Sequence, residues 1–245
     1  MVALRFSDAT LGYDRHPAVH HLTGTVEAGS LTAVVGPNGA GKSTLFKGIT
    51  GTLKPLAGHI DRNGFGVRDI AYLPQVAEID RSFPITVYDM VAMGLWRQTG
   101  PFGGLGHKQN DAIEAGIAAV GLTGFEQRVI GTLSGGQMQR MLFARLLIQD
   151  ARLIVLDEPF SAIDGKTCND LMQLVRRWHQ EGRTIIAATH DIELVRTNFP
   201  QTLLLAREPV AWGPTREVLT TENLHTARCM CEAFDESAET CVQAA

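Results

Sequence analysis

Apolar and polar positions alternate through "LRFSDATLGY", near the start of the chain, with the period of two that marks a half-buried strand. From Ser30, "SLTAVVG" is a short run rich in β-branched residues that stops at a glycine, which predicts a second, fully buried strand. The next segment, "KSTLFKGITG", changes period: Leu45, Phe46 and Ile49 share one face of a helix, and Gly51 is placed to end it. Strand, glycine-rich loop and helix therefore follow one another. Beyond about residue 76 the texture turns helical. "DRSFPITVYDMVAMGLW" opens on a proline-containing link and continues with helical spacing, "RQTGPFGGLGHKQN" reads as a glycine-rich loop, and Ile113, Ile117 and Val120 recur at helical intervals in "DAIEAGIAAVGL". "RLIVLDE" and "RTIIAATH" are then continuous apolar runs, as expected of parallel strands covered on both faces. Between them Leu171, Leu174, Val175 and Trp178 form a single apolar helical face.

This alternation predicts an α/β protein built on a mainly parallel sheet. One domain over 1–245 is expected, with 1–75 and 151–225 as its core, 76–150 as a helical insertion, and 226–245 as a loosely held tail, since "CEAFDESAETCVQAA" is small and acidic.

Composition narrows the function. Hydrophobic residues at 44% and charged residues at 20% fit an ordinary globular chain, and a formal net charge of −4 provides no broad basic field, which argues against nucleic acid as a partner. No window approaches the ~20 apolar residues of a membrane-spanning helix and no secretory signal opens the chain, so a cytoplasmic location is expected. Cys168, Cys229, Cys231 and Cys241 are too few and too uneven for a disulfide framework. Only one residue separates Cys229 from Cys231, unlike the C-x₂₋₄-C of structural zinc sites, so these thiols and His225 are read as part of an unpaired tail.

Three motifs carry chemistry. "GPNGAGKST", from Gly36 through Pro37, Asn38, Gly39, Ala40, Gly41, Lys42 and Ser43 to Thr44, fits G-x-x-x-x-G-K-[ST]. In such a loop the glycines let backbone N–H groups approach phosphate, the lysine balances β/γ charge and the serine hydroxyl ligates Mg²⁺. "LIVLDEP" sets Asp157 and Glu158 at the carboxyl end of a strand, where Asp157 can hold Mg²⁺ and Glu158 can polarise the water that attacks the γ-phosphate. Acids after a strand also cap the following helix, a task that suits Asp164. "LSGGQMQR", with Ser134, Gly135, Gly136 and Gln137, opens a second helix whose N-terminus suits an anion. One nucleotide needs one cradle, so this second turn asks for a different explanation.

With these motifs in this order, nearly the whole chain resembles the nucleotide-binding subunit of ABC transporters. That resemblance implies a P-loop NTPase fold with an N-terminal antiparallel β subdomain and a helical subdomain beside the parallel sheet. It implies ATP and Mg²⁺ as cofactors, and two copies closing head-to-tail so that Ser134, Gly135, Gly136, Gln137 and Asp164 reach the ATP held by the partner. It places Tyr13 on adenine, Gln75 of "AYLPQ" on Mg²⁺ and at the link to a transmembrane permease, and His190 of "AATHD" on the γ-phosphate. A solute-binding protein acting through the permease, and a peripheral position on the cytoplasmic face of the membrane, come with it. Val87, Met90, Val91 and Met93 are candidates to receive the permease.

"DRSFPITVYDMVAMG" and "LDEPFSAIDGKT" are similar to the matching segments of metal-type subunits, which implies zinc or manganese as cargo. Iron-chelate or cobalamin import is the nearest alternative, and an ABC-type ATPase without a permease is the other.

Overall fold

The computed structural model describes residues 1–14, 16–100 and 103–232. The chain opens with two long antiparallel strands, β1 (Val2–Tyr13) and β2 (His16–Glu27). The predicted buried strand is β3 (Leu31–Val35), all five residues of which are inaccessible to solvent. The loop after it leads into α1 (Lys42–Thr50), where Leu45, Phe46 and Ile49 are buried and Gly51 ends the helix in the left-handed region at φ 81°. β4 (Ala57–Asp61) returns to pair with β1, giving a small antiparallel sheet in the order β2-β1-β4.

β5 (Ile70–Leu73) precedes the helical stretch: α2 (Val87–Ala92), α3 (Trp96–Thr99), α4 (His107–Ala119) and α5 (Gly135–Gln149). Between β5 and β6 (Leu153–Asp157) there is no strand among the described residues, only an isolated bridge between Thr86 and Val129. The loop expected over "RQTGPFGGLGHKQN" is shorter than its composition suggested, because both of its ends are helical: α3 runs to Thr99 and α4 starts at His107. α6 (Gly165–Gln180) and β7 (Thr184–Ala188) follow, then α7 (Ile192–Asn198), the antiparallel pair β8 (Gln201–Ala206) and β9 (Glu208–Pro214), α8 (Thr215–Val218) and α9 (Thr221–Glu232). The acidic tail expected from residue 226 is thus helical as far as Glu232, where Ala227 is buried and Leu224, Met230 and Cys231 lean on the core. Residues 233–245, with Cys241, lie outside the described residues.

The main sheet runs β5-β6-β7-β3-β8-β9, parallel except for β9. Its central strands alternate between two cores. Val34, Val155 and Ile186 face Phe46, Ile49 and the small sheet, whereas Ala33, Leu156 and Ala187 face the helices, where Phe143 of α5 stacks on Trp178 of α6 at 5.7 Å. The edge strand β5 is covered by α5: Arg145 donates to the Tyr72 carbonyl at 3.3 Å and Gln149 to that of Ile70 at 3.4 Å. Those bonds occupy carbonyls that an open sheet edge would leave bare.

Candidate active site

Strand register brings the chemistry to one edge. Asp157 lies opposite Ala188, Ala188 opposite Val34, and Leu73 opposite Leu156. The segments that leave these strands, carrying Gly36 to Thr44, Gln75, Glu158 and His190, therefore emerge together at the carboxyl ends, where α/β sheets bind ligands.

The loop after β3 needs two of its three glycines, Gly36 and Gly41, for space. A Cβ on Gly36 would sit 2.0 Å from the Leu205 carbonyl oxygen, and one on Gly41 would sit 2.5 Å from that of Ala18, with Gly41 at φ 92°. α1 starts at Lys42 without a side-chain cap, so its first N–H groups are open to an anion. The Lys42 ammonium lies back over the loop, donating to the carbonyls of Gly36 at 2.9 Å and Pro37 at 3.0 Å. Burial lowers its pKa, and the carboxylates of Glu158 and Asp157 act in the opposite sense. Asn38 and Gly39 form the exposed tip of the loop, and Ala40 is buried beneath it. Tyr13, at the end of β1, is half exposed, with the Lys47 ammonium 5.9 Å from its ring centroid.

Asp157 is completely buried, yet its Oδ1 has no hydrogen-bond partner, while Oδ2 accepts from the Tyr72 hydroxyl at 3.3 Å. Burial pushes its carboxyl up, and the nearby Ser43 hydroxyl and Gln75 side chain pull it back. A buried carboxylate oxygen without a partner, with the Ser43 hydroxyl and the Gln75 carboxamide beside it, offers the oxygen-donor groups that fit Mg²⁺. Glu158 takes φ 49°, an unusual conformation for a side-chain-bearing residue, with its N–H bonded to the Ala188 carbonyl at 3.1 Å and its Oε2 accepting from Ser161 Oγ at 3.1 Å. Strain of this kind persists where its surroundings enforce it. His190 is exposed on the turn after β7, which the bond from Thr189 N to the Val34 carbonyl ties to β3 at 3.2 Å.

The second turn lies elsewhere. Ser134 caps α5 with a reciprocal pair: its Oγ accepts from Gln137 N at 3.3 Å, and Gln137 Oε1 accepts from Ser134 N at 3.0 Å. Ser134 and Gly135 are exposed, and the neighbours of Gly135 and Gly136 are Ala162, Asp164 and Thr167. Asp164 caps α6 by accepting from Thr167 N at 2.9 Å, and the Thr167 backbone and hydroxyl hold its carboxyl below the usual range. One region thus gathers Lys42, Ser43, Gln75, Asp157 and Glu158, and the other Ser134, Gly135, Gly136 and Asp164. Tyr72, Arg140 and Thr167 were missed by sequence reasoning; the quoted motifs contain all three, but nothing in the spacing names their partners.

A cradle that meets a buried acidic strand end at the edge of a parallel sheet, with a separate capped signature turn, defines an ATP-hydrolysing cassette. The chain belongs to the ABC transporter family, whose model matches residues 19–161. It is 41% identical over 213 residues to the Manganese transport system ATP-binding protein MntA of Synechocystis, covering 84% of this chain and 82% of that protein. It is 38% identical over 222 residues to the Manganese transport system ATP-binding protein MntB of Listeria monocytogenes, covering 89% and 92%. Among solved structures it superposes on an inward-facing putative metal-chelate type ABC transporter with a TM-score of 0.83 at 29% identity, over 94% of this chain and 90% of that one. It also superposes on the ADP conformation of an ATP-binding cassette with a TM-score of 0.79 at 21% identity, a likeness of fold. The chain is therefore an ATP-binding, ATP-hydrolysing subunit of the kind that works with a permease.

Proposed function

We propose that this subunit powers import of a divalent transition metal, manganese or zinc, through a separate transmembrane permease fed by a solute-binding protein. The observation that carries the reading is the similarity to manganese-transport subunits over most of the chain. The chain supplies ATP chemistry on the cytoplasmic side and never handles the cargo, so zinc and manganese share one reading here. No helix among the described residues is long and apolar enough to cross a membrane, which agrees with a peripheral subunit.

In the proposed site the backbone of Gly36 to Thr44 and the Lys42 ammonium bind the phosphates, and Tyr13 offers its exposed ring to adenine. Ser43, Gln75 and Asp157 would hold Mg²⁺, which when bound neutralises charge on the phosphate oxygens. Glu158 accepts a proton from the attacking water and His190 orients the γ-phosphate. Ser134, Gly135, Gly136, Gln137 and Asp164 serve the ATP of a second copy. What supports this division is that the signature turn's close neighbours, Ala162 and Asp164, lie in the loop of Ser161 to Asp164, while Lys42, Asp157 and Glu158 act on one another.

The surface offered to the permease differs from the one expected. Val87, Met90 and Val91 are buried in the helical core, and only Met93 of that set is exposed, alongside Phe83 and Trp96. Val87, Met90 and Val91 repeat at i, i+3 and i+4, the inward face of α2, so they pack the helical core and do not receive a partner.

The test is the metal content of cells carrying Lys42→Ala, grown under manganese or zinc limitation. Selective loss of one of these metals, restored by adding it, is expected. An unchanged metal profile contradicts the proposal.

A further inference from the structure

Arg140 sits on α5, just beyond the signature turn, and its guanidinium reaches two neighbouring elements, the end of α4 and α6. Nη1 donates to the Val120 carbonyl at the end of α4 at 3.1 Å, and Nη2 donates to Asp170 Oδ2 at 2.7 Å and to Thr167 Oγ1 at 3.2 Å, both on α6. The Thr167 hydroxyl in turn donates to Asp164 Oδ2 at 2.7 Å. Thr167 is buried, whereas Asp164 is exposed at the end of the loop that begins at Glu158. The two elements also touch directly, since a Cβ on Gly135 would lie 3.4 Å from the Ala162 carbonyl, and one on Gly136 would lie 3.7 Å from Asp164 Oδ2.

We infer that Thr167, held by Arg140, is a positioning residue for the shared-site reaction: it locks the signature turn and the loop of Ser161 to Asp164 into one body, so that both meet the partner's ATP in fixed register. The inference rests on the two-copy reading above. The physical reason is orientation. Two elements that must reach one γ-phosphate together lose less freedom on closing if they are already joined. A hydroxyl that accepts from a guanidinium and donates to a carboxylate is a charge-assisted relay at both ends, and so a stiff one. Asp170 keeps Arg140 charge-paired if the relay is broken, and Asp164 is exposed enough to be solvated. The fold therefore tolerates loss of the Thr167 hydroxyl.

The test uses the full chain carrying Glu158→Gln, in which ATP-driven pairing is read by sedimentation, with and without Thr167→Val. Thr167→Val is expected to weaken pairing about tenfold, the scale of one lost charge-assisted bond, while a fluorescent ATP analogue binds the unpaired subunit with unchanged affinity. In the background with Glu158 intact it should lower kcat with little change in KM, and Thr167→Ser should restore both pairing and kcat. Pairing and kcat equal to the parent in Thr167→Val overturn the inference and leave the two-copy reading standing. A Glu158→Gln chain that stays single at saturating ATP overturns that reading, and the inference with it.

Discussion

The carboxyl edge of the main sheet and the signature turn both bind phosphate in the proposed mechanism, but they are built in opposite ways. At the sheet edge charge is buried and incompletely satisfied: Lys42 and Asp157 are inaccessible, Asp157 Oδ1 lacks a partner, and Glu158 holds a left-handed backbone. At the signature turn the side chains are exposed and complete their bonds within the turn, through the reciprocal cap of Ser134 and Gln137. Buried charge costs stability unless a ligand completes it, whereas a satisfied exposed turn costs little. The first region is thus designed to be finished by ligand, and the second to be presented to something else.

Substitutions on the two sides should separate chemistry from stability. The largest effect is expected from Glu158→Gln: ATP binding persists and turnover falls by about 10²–10⁴-fold, the usual worth of a positioned base, in a steady-state phosphate-release assay. Gly41→Ala should come next, because its Cβ meets the Ala18 carbonyl at φ 92°. Nucleotide binding should be lost by titration and stability should drop by on the order of 1–3 kcal/mol in urea unfolding. Ser134→Ala should sharpen the contrast: the lost cap costs only about 1 kcal/mol of stability, yet turnover should fall well beyond that if the turn serves the partner's ATP. The smallest effect is a gain. Gln139, just past the signature turn, is buried with neither amide atom bonded, so Gln139→Met should raise stability by roughly 1 kcal/mol with turnover unchanged.

Most of the sheet edge was legible in the chain. Continuous apolar runs announced β3, β6 and β7 because parallel strands buried on both faces have no polar side to show, and the cradle and acidic pair sit at their ends. The helical region was legible in kind and less so in detail. α3 and the start of α4 were read as loop because glycines and polar residues around them outweigh a short helical period, and α9 from residue 226 onward was taken as tail because small and polar residues dilute its apolar face. The side chains that tie the parts together left no local signal. Tyr72 meets Asp157 across 85 residues of sequence, and Arg140 meets Thr167 across 27, distances over which only the folded sheet and helix packing bring partners together.

The central claim, that one site is assembled from two chains, is tested most directly by mixing two inactive variants, Lys42→Ala and Ser134→Arg. Each alone has both composite sites broken, but a mixed pair joins an intact cradle to an intact signature turn. The account predicts that ATPase activity reappears on mixing and rises with total protein concentration. A mixture as inert as its parts, or a Ser134→Arg chain that hydrolyses ATP at full rate alone, would contradict it.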